Sequence, residues 1–292
     1  MRSLTAERIR YMLQKYSVTP DRKLGQSFLA DPSTAREIVE TSKLDRKTSV
    51  LEIGGGLGVL SEMIARVSKR VHVIEVDPGL VRALRDVLDE YDNVEIIHGN
   101  ALDVDLPQVD RIVSNLPYSI SSPITFRLLN EMDFEFAVLM YQSEFAERLL
   151  AEPGSQNYSR LSVGIQYLAR VVEVLHVPAE SFYPIPAVDS KVVRIEPRTD
   201  GTFAQEKEVF FWVVHGIYSY PNKQVRKALG IWFKNLGHDK DLADEVIRRS
   251  SDTLSGTDRL RNLDQVAIVR VADTVYDLIK DGTLADPRGL SE

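Results

Sequence analysis

Cysteine is absent from this 292-residue chain, and so are long apolar runs. The lack of cysteine excludes disulfides, thiolate catalysis and cysteine zinc sites. No apolar run approaches the roughly 20 residues that a membrane helix requires, so we expect no membrane contact. The five histidines are scattered along the chain without the spacing of metal ligands, and we therefore expect no bound metal.

An excess of positive charge is lacking too, because the formal net charge is −7 at pH 7. This balance counts against a protein that binds nucleic acid over its whole surface. It leaves room for a local basic face, since binding depends on where the charges lie. The first seven residues do not have the apolar core of a signal peptide, so we expect a cytoplasmic protein.

What the chain does have is a series of short, β-branched apolar runs separated mostly by helical patterns. Such alternation predicts a doubly wound, mostly parallel seven-stranded sheet, and the last two runs could form an antiparallel pair. Asp31-Pro32, Asp77-Pro78 and Ser122-Pro123 each predict a helix start, with a capping side chain before a proline. The runs are residues 49–53, 71–76, 94–97, 111–114, 136–141, 171–177 and 191–195.

After Pro197 the pattern changes to helical periodicity alone. We expect helices at 209–218, 224–234, 242–249 and 263–280, with Asp264 capping the last one. The chain is therefore predicted to have an α/β domain over residues 1–200 and a small all-helical C-terminal domain over residues 201–292.

A glycine-rich turn, Gly-Gly-Gly-Leu-Gly at 54–58, joins the first strand to a helix, and Glu75 ends the second strand 21 residues after Gly54. Such a turn lets the backbone approach a ligand, and the carboxylate can accept ribose hydroxyls. The strict dinucleotide pattern fails, because Val59 or Ser61 stands where its third glycine belongs. Glu52 suits a cationic ligand end, which favours S-adenosylmethionine over NAD or a purely structural turn.

The segment Asn-Leu-Pro-Tyr at 115–118 follows another strand, where open α/β sheets bind ligands. Its amide oxygen and a backbone carbonyl can accept the hydrogens of a ring amine, while Tyr118 stacks on the ring. This pattern indicates methyl transfer to the exocyclic amine of adenine. The alternative is a turn with a packed ring.

These motifs, together with Gly-Gln-Ser-Phe-Leu at 25–29 and the segment Phe-Tyr-Pro-Ile-Pro-Ala-Val-Asp-Ser at 182–190, closely resemble the small-subunit ribosomal RNA adenine dimethyltransferases. The resemblance extends over residues 20–235, and Tyr141-Gln142 is similar to the archaeal and eukaryotic branch. It implies a Rossmann-like class I methyltransferase that uses S-adenosylmethionine. The implied reaction converts two adjacent adenosines near the 3′ end of the small-subunit RNA to dimethyladenosine, with a role in ribosome biogenesis.

The same resemblance implies roles for individual residues. The family more often has Asn at position 27 and Asp at position 100 than the Ser and Asn found here. Tyr118 and Phe182 match rings that sandwich the target adenine. The implied catalytic set is Asn115, Leu116, Pro117, Tyr118 and Phe182, and the implied cofactor set is Gln26, Ser27, Leu29, Gly54, Gly56, Glu75, Asn100, Ala101 and Asn115.

Basic residues are the candidates for RNA contact. Arg22 and Lys23 lie before the first motif, and Lys223, Arg226 and Lys227 lie on one predicted helix. The alternative is an ordinary solvated basic surface. We expect the partner to be small-subunit RNA, presented in a pre-assembled small ribosomal subunit, and the protein to be a monomer.

Three other functions fit part of the sequence. Related antibiotic-resistance enzymes methylate large-subunit RNA, but the helical C-terminal domain and the 182–190 segment favour the small-subunit group. A rival of another class, either a non-catalytic RNA-binding assembly factor or a transcription factor descended from this fold, would not need the intact glycine turn and the 115–118 segment. A small-molecule methyltransferase would leave the basic helices unexplained.

Overall fold

The structure is a computed structural model that describes residues 6–20 and 26–287. Its chain divides into two compact units, the first formed by residues 1–146 and 169–197 and the second by residues 147–168 and 198–292. Within the described ranges, no helix combines the length and the apolar character needed to cross a membrane.

The first unit is built on a seven-stranded sheet with strand order β4-β3-β2-β5-β6-β9-β7. The pairs among β2 to β6 are parallel, whereas β9 runs antiparallel to both β6 and β7. The predicted α/β fold and the antiparallel pair are therefore confirmed. The strands are β2 (Ser49–Ile53), β3 (Arg70–Glu75), β4 (Val94–His98), β5 (Arg111–Asn115), β6 (Phe136–Gln142), β7 (Ala169–Val177) and β9 (Ser190–Pro197).

Two additional strands, which the sequence pattern did not predict, form a separate antiparallel ribbon. In it β1 (Phe28–Leu29) pairs with β8 (Phe182–Tyr183), so that Leu29 faces Phe182 and Phe28 faces Tyr183. The ribbon joins two segments that are about 150 residues apart in the sequence.

The first unit also contains helices, some of which connect consecutive parallel strands. The carboxylates of Asp31 and Asp77 accept backbone N–H groups in the first turns of their helices, as predicted. The predicted cap at Ser122 is wrong: a 3-10 turn over Tyr118–Ile120 leads directly into a helix that begins at Ser121. These helices are α1 (Ala6–Lys15), α2 (Pro32–Thr41), α3 (Val59–Val67), α4 (Pro78–Val87) and α5 (Ser121–Glu131), and α6 (Ser143–Leu150) begins in the first unit and ends in the second.

The second unit is helical, and its apolar core includes Phe210, Phe233, Trp232 and Ile268. Asp264 caps the last helix by accepting the Ala267 N–H at 2.8 Å, as expected. The helices of this unit are α7 (Arg160–Leu168), α8 (Lys207–Ile217), α9 (Val225–Asn235), α10 (Leu242–Arg249) and α11 (Gln265–Lys280).

Candidate active site

A cavity opens at the carboxyl ends of β2, β3 and β5, the edge at which parallel sheets bind ligands. It brings together four parts of the sequence: the segment around β1, the glycine turn after β2, the end of β3 and the segment after β5. Its lining includes Gln26, Ser27, Leu29, Glu52, Gly54, Gly56, Glu75, Asn115, Leu116, Pro117, Tyr118 and Ser119.

The glycine turn can pass close to the other walls of the cavity because its first three residues, 54–56, carry no side chains. Gly54 has a φ of +76°, and a Cβ built on it would lie 3.0 Å from Cγ of Pro117. A Cβ on Gly55 would lie 2.4 Å from Cγ1 of Val73 on β3. Glycine is therefore required at both positions, one for contact with the 115–118 segment and one for packing on the sheet.

Glu75 lies at the end of β3 with its carboxylate held by the backbone. The N–H of Gly56 donates to Oε2 at 3.0 Å, and the N–H groups of Val76 and Asp77 donate to Oε1 at 2.9 and 3.0 Å. Burial raises the pKa of Glu75, and these hydrogen bonds oppose that shift. The result is a fixed acceptor in the wall of the cavity, suited to a pair of ribose hydroxyls.

Glu52 is a buried carboxylate that also lines the cavity. It is 1% exposed, and its Oε2 has no hydrogen-bond partner within residues 6–20 and 26–287. Burial, together with the nearby charge of Glu75, raises the pKa of Glu52 to about 8. An unpaired buried carboxylate is costly, so Glu52 keeps its proton near neutral pH until a cation or donor meets it. The arrangement therefore fits a ligand that carries positive charge.

Asn115 ends β5, and its side chain makes no hydrogen bond to the parts of the chain that the structure describes. Leu116 is buried, whereas Pro117 is exposed. The Tyr118 ring is partly buried in the cavity wall, and its hydroxyl lies 2.8 Å from Oγ of Ser190 at the start of β9. The segment thus presents an amide oxygen and an anchored aromatic ring to the same space.

Three of the predicted site residues do not line this cavity. Asn100 follows β4, and its amide is used locally: Oδ1 accepts the Leu102 N–H at 3.1 Å and Nδ2 donates to Asp103 at 2.7 Å. Ala101 is buried, and its carbonyl accepts from Nη1 of Arg127 at 2.6 Å. Phe182 is 2% exposed and packs in the apolar core with Leu29.

Ser190 contacts the site through Tyr118, and the sequence pattern assigned it no role. It is 0% exposed, and it stands last in the 182–190 segment. The sequence contains both the 115–118 segment and the 182–190 segment. Nothing in it indicated that the two segments are in contact through Tyr118 and Ser190.

The predicted RNA contacts separate into two groups. Lys223, Arg226 and Lys227 line a groove formed by α9, α10 and the loops beside them. Lys223 was expected on the same helix as the other two, but it lies in the turn before α9, which begins at Val225. Five basic and two acidic side chains line this groove, and Arg226 donates to Oδ2 of Asp244 at 2.7 Å. Arg22 and Lys23 lie outside the residues that the structure describes.

Comparison with known proteins identifies the family of this chain. A family model described as ribosomal RNA adenine dimethylase matches residues 19–250. A probable ribosomal RNA small subunit methyltransferase A from Methanococcus maripaludis is 38% identical over 260 residues, which cover 88% of this chain and 98% of the relative. The corresponding protein of Methanosarcina barkeri is 39% identical over 270 residues, 92% of each chain.

Solved structures show the same fold. A dimethyladenosine transferase from Plasmodium falciparum superposes with a TM-score of 0.75 at 27% identity, covering 87% of this chain and 98% of that one. The 23S rRNA methyltransferase ErmE superposes with a TM-score of 0.64 at 24% identity, covering 85% and 99%, a likeness of fold alone. The fold is that of the class I S-adenosylmethionine methyltransferases, and the chain belongs to the ribosomal RNA adenine dimethylase family.

Proposed function

We propose that the protein transfers methyl groups from S-adenosylmethionine to N6 of two adjacent adenosines near the 3′ end of small-subunit ribosomal RNA. The observation that carries this proposal is the single cavity shared by the glycine turn, Glu75 and the 115–118 segment. A nucleoside cofactor and an adenine base could meet there. The family and its archaeal relatives support the reaction and the class of RNA.

The residues of the cavity fit the proposed cofactor. Glu52, ionised once a cation lies beside it, would hold the cationic amino-acid end of the cofactor, and Glu75 would accept its ribose hydroxyls. Gln26, Ser27, Leu29, Gly54 and Gly56 would form the surrounding wall, while Asn100 and Ala101 would act from the neighbouring β4 end. When bound, S-adenosylmethionine supplies an electrophilic methyl group on a sulfonium.

Catalysis in this proposal depends on how the chain holds the adenine. The lone pair of N6 is delocalised into the ring, so the free amine is a poor nucleophile. Asn115 Oδ1 and the Leu116 carbonyl would accept the two N6 hydrogens, while Pro117 fixes the turn between them. This favours a pyramidal nitrogen whose lone pair faces the methyl donor. Alignment of this kind can supply about 7–11 kcal/mol of the barrier.

Aromatic stacking would hold the extruded nucleotide. Tyr118 already faces the cavity, and stacking on one ring is worth about 1–3 kcal/mol per base. Phe182 would need to leave its buried position to cover the second face of the base, since it is 2% exposed. Exposed Ser119, at the cavity edge, would leave room for the first methyl group during the second transfer.

The basic groove supports an RNA partner. We propose that Lys223, Arg226 and Lys227 contact phosphates of the ribosomal RNA, with Arg22 and Lys23 adding contacts from the segment before β1. The partner would be a pre-assembled small subunit bound by a monomer, and we propose that the protein acts in the cytoplasm. Residues 1–200 would carry the methyltransferase domain and residues 201–292 the helical C-terminal domain, except that residues 147–168 belong to the helical unit and not to the first domain as expected.

Incubation with labelled S-adenosylmethionine and, in parallel, undermethylated small and large ribosomal subunits tests the proposal. Nucleoside mass analysis should find N6,N6-dimethyladenosine in the small-subunit RNA. Label confined to large-subunit RNA would contradict the proposal and support the activity named for ErmE. Cofactor binding without any methylated adenosine would instead support an assembly factor.

A further inference from the structure

The hydroxyl of Tyr118 forms a hydrogen bond with Ser190, a residue that has no role in the proposed reaction. Its oxygen lies 2.8 Å from Oγ of Ser190, which is 0% exposed. Ser190 faces Gln142 on β6 and Val177 on β7, so its backbone is paired on both sides within the sheet. A side chain on such a strand is a rigid anchor.

We propose that Ser190 is a positioning residue for the target base, acting by fixing the ring of Tyr118 across the cavity from the glycine turn. This inference deepens the proposed function and rests on it. An aromatic ring on a short turn can rotate about its side-chain torsions. A hydrogen bond from the Tyr118 hydroxyl to the sheet restricts this rotation. The ring face is therefore already oriented for stacking before the base binds.

The Tyr118 hydroxyl is partly buried, and it therefore needs the hydrogen bond to Ser190. Burial raises the pKa of Tyr118, and its hydroxyl stays neutral and able to donate. Without Ser190 Oγ the hydroxyl would be left partly buried with no partner, and unpaired buried polar groups are unfavourable. The ring would then turn to reach water, and the stacking face would be lost.

The test uses Ser190→Ala, Tyr118→Phe and the double variant, with kcat/KM measured for small subunits at saturating S-adenosylmethionine. Each single change should lower kcat/KM by about tenfold and leave the cofactor Kd unchanged. The double variant should be no slower than Tyr118→Phe, because both changes remove one hydrogen bond. Ser190→Thr, which keeps the hydroxyl, should restore most of the activity.

Ser250→Ala is the matched control. Ser250 is also 0% exposed, and its Oγ lies 3.0 Å from Oγ1 of Thr274 in the helical unit. This variant should lose a comparable amount of thermal stability with no change in kcat/KM. The inference is overturned if Ser190→Ala slows the reaction as much in the Tyr118→Phe background as in the wild type, or not at all.

A readout without catalysis separates this inference from the proposed function. In protein labelled with 3-fluorotyrosine, the Tyr118 signal is the one missing from the Tyr118→Phe spectrum. Ser190→Ala should shift or broaden that 19F signal, and an unchanged signal would overturn the anchoring. If the signal responds but the wild type methylates no adenosine, the anchoring stands and the proposed function fails.

Discussion

Gly54 and Pro117 are in contact across the cavity, since a Cβ built on Gly54 would lie 3.0 Å from Cγ of Pro117 and 3.1 Å from its Cδ. Gly54 belongs to the proposed cofactor site and Pro117 to the proposed adenine site. The absence of a side chain at position 54 therefore sets how closely the two sites approach. Methyl transfer over a short distance needs that proximity.

Gly54→Ala should abolish methyl transfer and weaken binding of S-adenosylmethionine at least tenfold, because the new methyl group displaces Pro117. Gly282→Ala is the control, since Gly282 has a similar φ of +79° but a Cβ there meets nothing within 4 Å. Both changes carry the backbone penalty of roughly 1–2 kcal/mol. Calorimetry and the methylation assay should separate them, and equal effects would mean that backbone strain alone explains the loss.

Asn115→Ala should lower kcat by about a hundredfold or more, as expected when a group that acts on the transition state is removed. Binding of S-adenosylmethionine should weaken only modestly, because Glu52 and Glu75 remain. Asn130→Ala removes an exposed amide on α5 and should change neither quantity. Single-turnover kinetics with saturating cofactor provide the measurement, and unchanged turnover in Asn115→Ala would refute the assigned role.

Glu52 should make the protein without ligand less stable as the pH rises. Its pKa is raised from 4.5 to about 8, so the folded chain keeps a proton that the unfolded chain releases between those values. Unfolding is then favoured by up to about 1.4 kcal/mol per pH unit over that window. The melting temperature of Glu52→Gln should exceed that of the wild type by a margin that grows from pH 5 to pH 8 and is constant above it.

The control for this pH effect is Glu37→Gln, which replaces an exposed carboxylate on α2. The difference in melting temperature between Glu37→Gln and the wild type should not grow from pH 5 to pH 8. A margin for Glu52→Gln that is flat between pH 5 and pH 8 would show that Glu52 is ionised in the folded protein.

Neutralising Lys223 and Lys227 together should weaken binding of the small subunit and reduce its salt dependence. Each lost phosphate contact lowers the slope of log K against log salt by about 0.7–0.9. Arg248→Gln with Arg249→Gln removes the same charge from α10, where both arginines already pair with Glu245. This control should leave the slope of log K against log salt unchanged. Identical slopes for the two double variants would show that Lys223 and Lys227 do not contact the RNA.

Local patterns predicted the elements of the fold well. Mostly apolar runs such as 49–53 and 136–141 became buried strands, since strands covered on both faces are predominantly apolar. Asp31 and Asp77 act as caps because a short acceptor at a helix start needs only its own neighbours. The cap at Ser122 failed because the preceding turn at Tyr118–Ile120 continues into the helix.

Contacts between distant segments could not be predicted in this way. The strands that pair Leu29 with Phe182 have two residues each, too few for any periodicity. Phe182 was expected beside the target base, and its burial depends on the packing of this ribbon against the core. The contact of Tyr118 with Ser190 likewise links residues 72 positions apart. The cavity itself was predictable. The carboxyl ends of parallel strands lie at one edge of the sheet, so the motifs that follow these strands lie close together.

The most direct test of the central claim is mass spectrometry of the 3′-terminal fragment of small-subunit RNA after reaction with wild type and with Asn115→Ala. The wild type should add two methyl groups to each of two adjacent adenosines in undermethylated subunits. Asn115→Ala should bind S-adenosylmethionine and leave the fragment unmodified. A fragment that the wild type leaves unmodified, with cofactor bound and subunits intact, would contradict the claim that this cavity dimethylates adenine in small-subunit RNA.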